Sequence, residues 1–124
     1  MASSFDQYPQ RDGLYRVMPE GIAVHNRYQD KIVMLDALGS ELWLRADGKT
    51  TLRDIARDLA GWNRQPAATM YKAAAILLGI LNSEGVMYQT DQPVELPYHL
   101  SYPQEDQDLE RMYASLAAAG WLDE

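Results

Sequence analysis

The 124-residue chain contains no cysteine, one phenylalanine and two histidines. The first absence excludes disulfides, thiolate nucleophiles and cysteine-ligated zinc, and it fits a reducing compartment. His25 and His99 stand alone, with neither the i, i+4 pair of H-E-x-x-H nor a second ligand cluster. Both read as structural or solvated, and no metal site is expected. No apolar run approaches the ~20 residues of a membrane-spanning helix, and the opening MASSFDQYPQRDG has no signal-type apolar stretch. A soluble, cytoplasmic protein with no membrane partner is the expectation. There is no G-x-G-x-x-G and no G-x-S-x-G, and the GKT at 48–50 lacks the glycine-rich loop of a phosphate-binding turn. Neither catalytic residues nor a cofactor are therefore expected.

Positive charge is scarce at one end only. Residues 1–90 carry ten Lys/Arg and ten Asp/Glu, whereas residues 91–124 set Arg111 against eight acids and so hold the whole net charge of -7. An acidic extension argues against a large electrostatic footprint on nucleic acid and also serves solubility. Its acids Glu105, Asp106, Asp108 and Glu110 suit the first turn of a helix, where the macrodipole favours them, better than a metal site. The length allows one domain with a core of its own, plus that extension.

What is present is organised around 66–88, PAATMYKAAAILLGILNSEGVMY. On a helical wheel Met70, Ala74, Leu77 and Leu81 form a central stripe. Tyr71 and Leu78 flank it on one side, and Ala73, Ile76 and Ile80 on the other. The apolar arc spans about half the helix, wider than the ~100° a one-sided core contact needs. Such a helix either lies between two layers of its own domain or keeps one flank open for a partner.

In chain order, residues 1–13 are polar and predict a poorly ordered start. A short strand at 14–18 runs into the Met18-Pro19-Glu20-Gly21 turn. Two β-rich runs, 21–26 and 31–36, are separated by four residues and read as a hairpin. From Ile32 to Leu35 every position is apolar, so both faces of that strand want cover. Asp36 caps a helix over 37–45, which Ala46-Asp47-Gly48 stops. Thr51 with Asp54 opens a second helix that Gly61 ends. The long helix follows, closed by Gly85, and a brief strand comes at 86–89. The fold class is thus α+β: a small antiparallel β-sheet followed by a three-helix, winged-helix-like core over 14–90. A C-terminal extended segment and helix over 91–124 complete the chain.

In that extension Val94, Leu96, Tyr98, Leu100 and Tyr102 alternate with polar residues or Pro97. The alternation predicts an extended segment on an apolar surface. Pro103 opens a last helix in which Leu109, Met112, Tyr113 and Leu116 share a face, ended by Gly120. Trp43, Trp62 and the eight tyrosines read as core volume in a body with a single Phe.

The stretch KIVMLDALGSELWLRADGKTTLRDIARDLAG, followed by ILLGILNSEGVMY, resembles the PqqD-like family of precursor-peptide recognition elements. The shared pattern is a strand ending in Leu and a polar residue, a short helix with Trp, D-G, a T-x-x-[DE]-I-A helix and a closing L-x-x-x-G-apolar. The resemblance covers roughly 14–90. It implies a clamp without catalysis, in which an extended leader peptide adds to a strand edge and packs on the third helix. Carried over by residue, the edge is Lys31, Ile32, Val33 and Met34, and the wall is Tyr71, Ala74, Ala75 and Leu78. The partners it implies are a precursor (leader) peptide and a modifying enzyme such as a radical SAM or ATP-dependent maturase. Gly79 and Ile80 depart from the polar residues usual there, and the extension has no counterpart in short members. It is open to covering the strand edge in cis, docking the enzyme, or pairing two copies as a homodimer.

Two other readings stay beside this one. A winged-helix regulator would bind DNA or a protein, but its third helix offers only Lys72 before Asn82, against the Arg, Lys, Asn and Gln that base reading needs. The last is a non-catalytic subunit of a larger assembly.

Overall fold

The computed structural model describes residues 4–122. Two antiparallel sheets and five helices make an α+β fold, as the sequence implies. Residues 1–3 of the expected disordered start, and residues 123–124, lie outside the described residues. The rest of that start is not loose. After a 3-10 turn at Ser4–Asp6, strand β1 (Tyr8–Arg11) pairs with β5 (Met87–Thr90), Tyr8 opposite Thr90 and Arg11 opposite Met87. The pairing satisfies the main chain of a polar segment whose side chains give no periodic signal.

The second sheet is a meander of β2 (Tyr15–Met18), β3 (Gly21–Asn26) and β4 (Lys31–Leu35), in that spatial order. Ile22, Val24 and Asn26 turn inward on β3, the period-two pattern of a sheet with one wet face. Asp36 ends β4 and caps α1 (Ala37–Arg45), its Oδ1 accepting from the Gly39 N–H at 2.7 Å. Thr51 caps α2 (Leu52–Asn63) through the Asp54 N–H. This helix runs past Gly61, where a Cβ would point into open space, and ends where Arg64 adopts a left-handed φ of 52°. A solvent-facing glycine costs a helix only about 1 kcal/mol, too little to break one anchored by Leu52, Ile55 and Leu59.

Helix α3 (Ala67–Ser83) crosses beside α2 and ends at Gly85, where a φ of +73° disfavours any side chain and a Cβ would stand only 2.7 Å from Asn26 Nδ2. The core forms where the sheet meets the three helices. Trp43, fully buried, donates Nε1–H to the Val86 carbonyl at 2.9 Å and takes the Tyr15 ring edge-on at 4.6 Å.

The extension does not run as one extended segment. The alternation holds from Val94 to Tyr98, but Pro97 opens a single turn, α4 (Tyr98–Ser101), in which the consecutive residues His99 and Leu100 are buried, and Tyr102 is exposed. The last helix, α5 (Leu109–Ala118), starts at the Asp108 cap rather than at Pro103 and buries Met112 and Leu116. Arg11, itself buried, fastens the extension: its guanidinium donates to the carbonyls of Leu100 (2.9 Å), Ser101 (3.4 Å) and Leu44 (2.6 Å). Glu105 accepts the Val17 N–H at 3.2 Å, so the extension reaches the outer edge of β2. No hydrogen bond joins it to β4 among the described residues, and the strand edge it was open to covering is left bare.

Candidate functional site

The site is that bare edge. The pairing of β3 with β4 sets Val24 opposite Val33 and Ile22 opposite Leu35, while the His25 N–H turns the other way, to the Leu14 carbonyl on the β2 side. Alternation in an antiparallel ladder then sends the N–H and C=O groups of Ile32 and Met34 outward, unpaired. A free edge of this kind is a template for another strand. Val33 and Leu35 face inward, whereas Ile32 and Met34 are 61% and 50% exposed.

Helix α3 runs alongside. A groove of about 360 Å³ lies between Lys31 to Leu35 on one side and Ile80, Leu81 and Glu84 on the other. A second hollow of about 250 Å³ continues it past Leu77 to Asp36 and Gly39 at the start of α1. Asn26 locks strand to helix by donating to the Glu84 carbonyl at 2.7 Å, and Lys31 pairs with Glu84 at 3.4 Å across the groove's end. Asn26 Oδ1 also accepts from the Tyr28 and Gln29 N–H groups, which shapes the turn that feeds β4. The groove is therefore a row of main-chain donors and acceptors beside an apolar wall, with one ion pair at its mouth.

Lys31, Ile32, Val33 and Met34 are together on the free edge. The expected wall residues are not together in the groove. Ala74 is fully buried and Leu78 nearly so, both in the core. Tyr71 is half-buried, its ring 5.5 Å from that of Phe5, and Ala75 is exposed away from the groove. Leu77, Ile80, Leu81 and Glu84 form the wall instead. These four repeat at i, i+3, i+4 and i+7, from the central stripe of the same helical wheel towards the Ile76 and Ile80 flank, opposite to Tyr71. Ile76 and Ile80 on that flank are 65% and 49% exposed, an apolar face unsuited to reading bases.

A family model described as coenzyme PQQ synthesis protein D (PqqD) matches residues 17–87. More than half of the chain is covered. The chain belongs to the PqqD family. No curated protein and no solved structure matches it. The PqqD match runs from β2 through α3 to the first residue of β5, and so takes in the groove whole, while β1 and the extension fall outside it. Coenzyme synthesis is a biosynthetic role that fits a peptide-binding partner. Among the described residues of this PqqD-family protein no helix is long and apolar enough to cross a membrane, and no group of three His, Asp or Glu is placed to hold a metal ion.

Proposed function

We propose that the protein binds the leader region of a ribosomally synthesised precursor peptide as an added strand on β4 and presents it to a separate modifying enzyme, with no catalysis of its own. The observation that carries the reading is the unpaired edge at Ile32 and Met34 facing the apolar wall of Leu77, Ile80 and Leu81. Main-chain hydrogen bonds supply generic affinity, and the pockets along the wall select alternate side chains of the incoming strand. Ordering a disordered leader consumes part of the gross interaction, which places the expected Kd on the order of 10⁻⁷ to 10⁻⁵ M. The protein contributes register and effective concentration, and the chemistry belongs to the enzyme, a radical SAM or ATP-dependent maturase.

A backbone NMR titration of the isotope-labelled full chain with the leader half of a precursor encoded beside it tests this. Shifts concentrated at Lys31 to Leu35 and at Leu77, Ile80, Leu81 and Glu84 are expected. A saturating leader that moves none of these resonances refutes strand addition.

A further inference from the structure

A larger cavity, about 460 Å³, lies where the extension meets the turn that feeds β4, among Asp12, Arg27, Tyr28, Tyr88, His99 and Trp121. Its aromatic faces are already taken by the chain's own cation. The Arg27 guanidinium lies 4.1 Å from the centre of the Trp121 ring and 4.3 Å from that of Tyr28. It also donates to Tyr28 Oη at 2.7 Å and sits 3.6 Å from the buried carboxylate of Asp12, which accepts from the Tyr28 hydroxyl at 3.0 Å. Trp121 is gripped in turn by His99, which has no exposed surface and meets the indole edge-on at 4.4 Å. The cavity is a joint between extension and turn.

We infer that Trp121 is a positioning residue for the peptide edge: by holding Arg27 it fixes the turn at 27–30, and with it the first residues of β4. The inference rests on the peptide-binding reading. Asn26 organises the backbone of that turn and His25 on β3 meets the Asp30 carboxylate at 2.8 Å, but among the described residues the side chains of Arg27 and Tyr28 have no hydrogen bond to the sheet. Arg27 and Tyr28 are exposed residues held through Asp12 on one side and Trp121 on the other. Asp30, just before Lys31, holds a left-handed φ of 50°, which aspartate adopts as a single turn residue, so the turn reverses the chain directly into β4. An edge ordered in advance spares an incoming strand the ordering of its template, and so binds more tightly with no added contact. Trp121 lies outside the PqqD match, so this device belongs to the extension.

Amide hydrogen exchange on the full chain tests the inference without a ligand. In Trp121→Ala, the bonded amides of Tyr28, Gln29, Lys31 and Val33 should exchange about fivefold faster, the scale of one lost cation–π contact, while α2 and the core of α3 are unchanged. Trp121→Phe should restore most of the protection. Arg27→Ala should match Trp121→Ala, and the double variant should add nothing further. Unchanged exchange at those four amides, or a uniform rise through α2 and α3, overturns the inference. Titrating the same samples with the leader peptide separates the two proposals. Equal affinity of the wild type and Trp121→Ala overturns the positioning role. A wild type that binds no leader refutes the peptide reading, and the exchange data then decide whether Trp121 holds the turn.

Discussion

Replacing Met34 by proline separates an edge used for binding from an edge used only for folding. The Met34 N–H points away from β3 and meets only solvent, so the ring removes no ladder bond, and prolines are tolerated at such edge positions. An added strand would be opposed at Met34 by a residue exchanging both N–H···O bonds with it. Proline abolishes one bond of the pair, and its ring pushes the opposing residue off the edge, which breaks the other. At ~0.5–1.5 kcal/mol net per main-chain bond the loss is ~1–3 kcal/mol, roughly 5- to 150-fold in Kd. Val33→Pro is the counterpart. It deletes the bond to Val24 inside the sheet and should lower Tm markedly. Calorimetric titration of leader peptide against wild type and Met34→Pro, with a thermal melt of each variant, reads both effects. A Met34→Pro protein that melts as the wild type does and binds leader within twofold of it refutes strand addition at this edge.

Ile80→Ala, on the groove wall, should weaken leader binding about fivefold with little change in Tm, whereas Tyr71→Ala should lower Tm through lost packing on Phe5 and leave leader affinity within twofold; the opposite pattern in the same titrations would place the wall on the Tyr71 flank. Arg11→Met leaves the carbonyls of Leu44, Leu100 and Ser101 without their donor and should cost about 2–4 kcal/mol in chemical denaturation, with the extension's resonances moving most; a cost below about 0.5 kcal/mol would show that the extension is held elsewhere. Burial holds the His99 imidazole below its ordinary value of 6.5, with Asp12 opposing and Arg27 reinforcing the shift, so the unfolded chain takes up the proton first. Stability of the extension should then be fully present above about pH 6.5 and decline as the pH falls below it, and an NMR titration of the His99 ring with a midpoint at or above 6.5 would refute this.

Much of the fold was legible because its signals are local. The capping side chains of Asp36 and Thr51, the four-residue hairpin turn and Gly85 each act within a few positions of themselves, and the helices and the meander lie where those residues put them. The same locality left β1 unread. Tyr-Pro-Gln-Arg has neither alternation nor apolar character, and it is a strand because β5 lies along one edge and residues 46–48 bond the other. Alternation in the extension misled for the converse reason: Pro97 can cap a helical turn as readily as it can limit a strand, and tertiary burial of His99 with Leu100 chose the turn. In the groove, the anomaly of an over-wide apolar arc was visible on the helical wheel. Choosing its open flank required knowing which side of α3 faces α2, and that contact joins residues far apart in sequence.

The pairing of β1 with β5 joins segments 80 residues apart, as for Gln10 and Thr90, while each strand junction of the meander closes over a few residues. Loop-closure entropy therefore favours the meander first and the β1–β5 ladder last. On the ribosome the interval has a length. At ~5–20 residues per second, strand β1 emerges on the order of 4–16 s before β5 is made, although residues 46–48, which bond its other edge, follow sooner. For that time the edge meant for β5 is open in a crowded solution, the situation in which an apolar segment would pair with a neighbouring chain. Tyr8-Pro9-Gln10-Arg11 is built to wait: the proline offers no N–H, the arginine repels its own kind, and the segment becomes a strand only when the completed domain supplies the other half.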